Sequence, residues 1–302
     1  MPAKAGIHPR LLIALLVASL PFCAQATTAL TGADGQKLIL KAPATRIVSL
    51  APDLTELTYD VGAGTALVGA SRYSDYPAAA EKLPRIGDAF RFDLERIVAL
   101  KPDLVLAWQS GTPVMAIERL RALGLPLLVI GTHQLADIAT NLELIGKATD
   151  HEAEARAAAQ AFLAGLDKLR SEYAGRAPVR VFYEISATPF YTVGGKQIIS
   201  RMIELCGGRN IFSDLMVLAT PVSLEAVLAL NPQAIVTGSD EGTAERLKEW
   251  QRWPQISAVG TDSLFGISSD LLARATPRIL QGGKQLCEDL EKVRELHNAA
   301  SD

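Results

Sequence analysis

The stretch DLERIVALKPDLVL (93–106) returns 130 residues later as SLEAVLALNPQAIV (223–236). Leu94/Leu224, Glu95/Glu225, Ala99/Ala229, Leu100/Leu230 and Pro102/Pro232 are identical, and Ile97/Val227 and Val105/Ile235 differ conservatively. Each copy opens on a helix-capping residue, Asp93 or Ser223, whose side chain can accept from a free amide of the first turn. Each then reads as a short helix, a proline break and a buried strand. RIVSL (46–50) and VRVFYEI (179–185) stand ahead of the two copies at equivalent places. One unit therefore occurs twice in the chain. Outward from the copies, strand and helix patterns alternate. That order predicts a largely parallel sheet with helices on its faces. SATPFYTVGGKQ (186–197) reads as a loop.

Between the copies lies DHEAEARAAAQAFLAGLDKLRSEYAG (150–175). Asp150 reads as its N-cap. Glu152 and Glu154 fall in the first turn and Lys168 and Arg170 near the far end, the order that suits the helix dipole. Ala155, Ala159, Phe162, Leu166, Leu169 and Tyr173 form one apolar stripe. Gly175 and Pro178 end the helix. The expected fold is α/β. Two similar lobes with mainly parallel sheets, 27–149 and 176–302, are joined by one long helix, 150–175. A ligand cleft is expected between them.

Of the 302 residues, 49% are hydrophobic and 21% charged, enough for a substantial core. Residues 1–26 read as an export signal. Lys4 and Arg10 precede the apolar run LLIALLVASL, and Ala24-Gln25-Ala26 fits a cleavage site. Lipidation at Cys23 is disfavoured by the large Phe22 before it. The mature chain then carries 28 Lys and Arg against 33 Asp and Glu, a net charge of −5. Nothing is clustered and basic, which argues against nucleic acid as a partner. Cys206 and Cys287 remain in an oxidising compartment, which points to one disulfide rather than two free thiols.

Signatures of catalysis are missing. A phosphate-binding loop needs a glycine five residues before each Gly-Lys; those positions are Phe190 and Arg278. No G-x-S-x-G elbow occurs. His133, His151 and His297 are scattered, so no metal site is expected. Tyr73, Tyr76, Phe90, Phe92, Trp108, Phe190 and Tyr191 lie at or after strand ends, where open α/β sheets bind ligands. About half are expected to be packing residues only. Trp250 and Trp253 read as core. Glu95 and Glu225 complement their helix dipoles. As matched acids, one per lobe, they could also present a two-fold face to a basic symmetric partner.

RIVSLAPDLTEL, YSDYP (73–77), LERIVALKPDLVLAW, ELCGGRNIF (204–212), NPQAIV, TPRI (276–279) and QLC (285–287) together resemble one family over nearly the whole mature chain. It is that of the periplasmic substrate-binding proteins of ABC importers whose two lobes are joined by a single helix. Members carry metal chelates, and the cobalamin binders are the most similar. The resemblance implies a monomeric receptor for cobalamin or another corrinoid, with no cofactor, that docks on a permease dimer. It places Tyr73 in the pocket and Asp270, Leu271, Leu272, Ala273 and Arg274 in a ligand-contacting loop. It pairs Cys206 with Cys287 and sets Glu95 and Glu225 against permease arginines. Tryptophans of the cobalamin binders are replaced here by Ala89 and Ala219; Phe90 and Tyr191 compensate in part. Haem or ferric siderophores are the alternative cargo. They would favour a strongly basic cleft, whereas Arg72, Arg91 and Arg274 are scattered. A periplasmic α/β enzyme acting on a small substrate is the alternative of another class.

Overall fold

A computed structural model describes residues 27–239 and 242–299. The export signal, its cleavage point at Ala26 and Cys23 lie outside the described residues. A hairpin of β1 (Thr28–Thr31) and β2 (Lys37–Leu40) leads in, turning at Gly35. Lobe 1 follows as β3 (Ile47–Ser49), α1 (Pro52–Asp60), β4 (Leu67–Ala70), α2 (Leu94–Ala99), β5 (Leu104–Trp108), α3 (Val114–Ala122), β6 (Leu127–Ile130) and α4 (Asp137–Thr149). Its sheet has the order β4-β3-β5-β6 and is parallel throughout.

The connecting helix α5 (Glu152–Tyr173) has 22 residues and is about 33 Å long. It begins two residues later than the sequence suggests. Asp150 is not its cap. It closes α4 in the left-handed conformation, with φ 60°, and His151 precedes the first turn of α5. The chain reverses sharply here, and α4 and α5 pack so closely that a Cβ on Gly146 would overlap Ala155. The predicted stripe of Ala155, Ala159, Phe162, Leu166, Leu169 and Tyr173 is the buried face. α5 also lies against α6 and α11 of lobe 2.

Lobe 2 comprises β7 (Val179–Ala187), β8 (Phe190–Val193), α6 (Ile198–Leu205), β9 (Gly208–Asn210), β10 (Ala219–Pro221), α7 (Leu224–Leu230), β11 (Ala234–Gly238), α8 (Thr243–Glu249), α9 (Ser257–Gly260), β12 (Leu264–Ile267), α10 (Ser269–Leu272) and α11 (Ile279–Ala299). The sheet runs β10-β8-β7-β11-β12, with β9 also on β7. β7, β9, β11 and β12 are parallel, and β8 and β10 are antiparallel additions. The segment 186–197, read from sequence as a loop, thus contains a strand. One apolar core runs from lobe 1 through α5 into lobe 2, and a smaller cluster covers the outer face of each sheet.

The repeat is built the same way twice. Asp93 accepts from Arg96 N at 2.9 Å, and Ser223 accepts from Ala226 N at 3.2 Å. Before each proline the chain turns left-handed, at Lys101 (φ 49°) and Asn231 (φ 43°). An arginine from the preceding strand region satisfies the carbonyls so exposed. Arg46 donates to Leu100 O and Lys101 O, and Arg180 to Asn231 O. The register agrees as well: Ile47 pairs with Leu104, and Val181 with Ala234. Cys206, which closes α6, is bonded to Cys287 of α11.

Candidate ligand-binding cleft

Each lobe's parallel sheet changes direction once, between β3 and β5 in lobe 1 and between β7 and β11 in lobe 2. Loops diverge at such points and leave a crevice at the carboxyl ends of the strands. A cavity of 530 Å³ lies there, between the lobes. Lobe 1 contributes Pro52, Asp53, Trp108, Ser110 and Thr132. Lobe 2 contributes the larger share, including Tyr183 and Ile185 of β7, Val193 of β8, Gln197 to Ile199 at the start of α6, Leu218 and Ala219, and Ala273 to Ala275. The wall is mostly apolar, and its charged members are Asp53 and Arg274.

Arg274 also ties the lobes together. Its guanidinium donates to Glu56 Oε1 at 2.7 Å, Asp75 Oδ1 at 2.9 Å and Tyr73 O at 3.1 Å, and pairs with Asp270 at 2.7 Å. Glu56 is 1% exposed. It also accepts from Thr276 Oγ1 and Arg278 Nη1, each at 3.1 Å. Arg278 in turn lies over the Tyr76 ring, 3.7 Å from its centre. Glu56 belongs to α1 of lobe 1 and its three donors to lobe 2, so the group forms a buried clasp across the cleft's edge. Buried charges persist only when paired and hydrogen-bonded, and each member here is.

Asp53 is paired with nothing comparable. It is 8% exposed, and its Oδ1 accepts from the neighbouring Leu54 N at 2.9 Å. Burial, with the Glu56 charge adding to it, pushes its carboxyl up to about 6.

Of the residues singled out from sequence, Ala273 and Arg274 are on the cavity wall. Tyr73 joins the clasp through its carbonyl; the residue is 66% exposed, and its φ is 65°. Phe90 is 94% exposed on a turn held by Asp88, which also pairs with Arg72. Tyr191 is half-buried on β8, two residues before the wall residue Val193. Asp270 belongs to the clasp, Leu271 is half-buried, and Leu272 is fully buried in the core. Among the strand-end aromatics, Trp108 is a wall residue. Phe92 packs against the outer core of lobe 1, and Phe190 stacks on Trp250. Trp250 itself is core, with Nε1 donating to the buried Glu184. Glu95 and Glu225 are exposed at matching places on α2 and α7. Hydrogen bonds from its own amide and from Ser223 hold the Glu225 carboxyl below the usual range. Sequence reading missed Asp53, Glu56, Ser110, Thr132, Tyr183 and Gln197 as site residues.

The comparisons agree with this architecture. A vitamin B12-binding protein of Vibrio cholerae is 38% identical over 250 residues, covering 82% of this chain and 90% of the relative. One from Yersinia pseudotuberculosis is 34% identical over 294 residues, covering 97% of each. The crystal structure of the periplasmic vitamin B12 binding protein of Vibrio cholerae superposes with a TM-score of 0.79, covering 83% of this chain and 98% of that one. A periplasmic heme-binding protein from Roseiflexus sp. RS-1, 23% identical, shares the fold with a TM-score of 0.74 over 83% of this chain and 99% of that one. No helix among the described residues is long and apolar enough to cross a membrane. With residues 47–271 also matching the family as a whole, the chain belongs to the periplasmic binding proteins.

Proposed function

We propose that this protein is the periplasmic receptor of an ABC importer and that it binds cobalamin or a related corrinoid. A corrinoid is a wide, largely apolar disc fringed with amides. A cleft walled by Trp108, Tyr183, Ile185, Val193, Ile198 and Leu218 suits its faces. One observation favours it over haem or an anionic siderophore. Among the described residues Arg274 is the only cation on the wall, and Glu56, Asp75 and Asp270 already surround it. Nothing there is left to neutralise propionates or catecholates. In this reading residues 1–26 direct export and are removed near Ala26. The mature chain acts as a monomer and releases its cargo unchanged, so it needs no catalytic group. Glu95 and Glu225 present one acid per lobe to a permease dimer. Tyr73, Phe90 and Tyr191 close over the ring from the cleft's edge.

Titration calorimetry with cyanocobalamin, cobinamide and haem tests the reading. Cyanocobalamin is expected to bind stoichiometrically, and Tyr73→Ala to weaken it by about 1–3 kcal/mol, the loss of one aromatic contact. Tight haem binding with no heat from either corrinoid would reassign the cargo.

A further inference from the structure

The two charged wall residues have opposite fates. Arg274 is saturated by the clasp, while the Asp53 carboxylate contacts only backbone amides of its own turn. It forms no ion pair among the described residues, although it is 8% exposed at a mostly apolar wall. An ionised acid in that state destabilises the empty protein, because burial strips its water and only backbone amides of its own turn replace it. Helix-dipole compensation does not require the burial, since Glu95 and Glu225 serve their helices from the exposed face. What the carboxylate lacks among the described residues is a side-chain donor, and the cavity is where a further donor would come from.

We propose that Asp53 is a specificity-determining acceptor for the bound ligand. It takes an N–H from a peripheral primary amide of the corrinoid and disfavours any ring system that brings a carboxylate to the same place. This rests on the corrinoid reading above. It supplies the selection that Arg274 cannot make, because a saturated guanidinium neither attracts nor rejects an anion strongly. Amide donors gain a charge-assisted hydrogen bond in a desolvated site. Carboxylate-bearing rings instead meet a like charge there.

The test uses the full mature chain and three forms of it: wild type, Asp53→Ala and Asp53→Asn. The ligands are cyanocobalamin and its monocarboxylates, in which one side-chain amide has been hydrolysed. Asp53→Ala is expected to raise the Kd for cyanocobalamin about 10- to 100-fold, the range for losing a hydrogen bond to a charged group. Asp53→Asn keeps an acceptor of the same shape, so its loss is smaller. At least one monocarboxylate should bind wild type much more weakly than cyanocobalamin does, and that penalty should shrink in Asp53→Asn. A purely structural role would shift all these ligands together. An Asp53→Ala protein that binds cyanocobalamin within about twofold of wild type overturns the inference. So does a carboxylate penalty unchanged in Asp53→Asn. If wild type binds no corrinoid at all, the receptor reading itself has failed, and this inference falls with it.

Discussion

Lobe 1 and lobe 2 share a helix, a proline turn and a strand, down to the arginine that caps the turn. Around that unit they diverge. Lobe 1 has four parallel strands and gives the cleft a few residues from three loops. Lobe 2 adds the antiparallel β8 and β10 and a disulfide, and it supplies most of the wall. The unit that stayed alike carries Glu95 and Glu225, exposed at equivalent positions. The parts that diverged carry most of the cavity wall. On the proposed function, a two-fold partner would constrain the first to remain alike, and an asymmetric ligand would place no such demand on the second.

The lobes meet at the Glu56 clasp, so the sharpest perturbation is there. Glu56→Ala removes the buried carboxylate that Arg274 and Arg278 share, leaving Arg274 only the half-exposed Asp75 and Asp270 and Arg278 no ion pair among the described residues. Breaking a buried ion pair from one side typically costs about 3–5 kcal/mol. Equilibrium urea unfolding of the ligand-free protein should show that loss, and X-ray scattering a wider separation of the lobes. With the clasp intact, only a modest change of cleft width is expected on binding, since bending α5 would break helical hydrogen bonds. A loss under about 1 kcal/mol would mean the clasp merely fills space.

The second perturbation confines itself to lobe 2. The disulfide closes a loop of 81 residues between α6 and the final helix. Replacing Cys206 and Cys287 by serine should cost about 2–4 kcal/mol, chiefly by freeing the unfolded chain. Amide exchange should speed in α6, β9 and α11 while β3, β5 and β6 keep their protection. Equal loosening in both lobes would show that they unfold as one unit.

These two sites differ in how far the sequence betrays them. The repeat was legible because its signals are local: a capping side chain, a proline and a periodic apolar face lie within 14 residues. The cysteines were legible because only two lie beyond the segment that reads as an export signal. The clasp was not, since Glu56 and Arg274 stand 218 residues apart. A lone acid on a helix and a lone arginine in a loop ordinarily mean solvated surface. Family resemblance put Arg274 against the ligand without its pairing; the structure has it on the cavity wall and bonded across the cleft as well. β8 and β10 have four and three residues, too short for an alternating pattern. Gly194 and Gly195, which read as loop, are there for close approach. Their amides bond Leu218 O and Leu215 O, and a Cβ on Gly194 would overlap the carbonyls of Val217 and Leu215. Asp53 escaped notice because a first-turn acid is commonplace, and only the fold shows that it faces a cavity.

Asp53 also gives lobe 1 a pH response. Its carboxyl is raised from 3.8 to about 6, so the fold favours the protonated form. This stabilising contribution is full below pH 3.8 and is lost as pH rises to about 6. Asp53→Asn removes it. The stability of the variant relative to wild type should therefore climb by about 1–3 kcal/mol between those limits and level off above them. A difference that stays flat from pH 4 to 7 would mean the carboxyl is better solvated than its burial implies.

The smallest effect on the isolated protein is expected at the acids that the lobes share. Glu95→Lys and Glu225→Lys sit on exposed helix starts, away from the residues of the wall. Folding and calorimetric affinity for cyanocobalamin should match wild type apart from a slight loss of helix-dipole compensation, equal in the two variants. Uptake should not match. Each reversal sets like charges together at one of two equivalent contacts, so each single variant should transport in part and the double variant less. Equality of the two single variants is the informative point. If Glu95→Lys and Glu225→Lys impair uptake to clearly different extents, the docking face is less symmetric than the repeat that carries it. If the double variant transports normally, the acids serve their own helices only, and the likeness of α2 and α7 must be explained by folding.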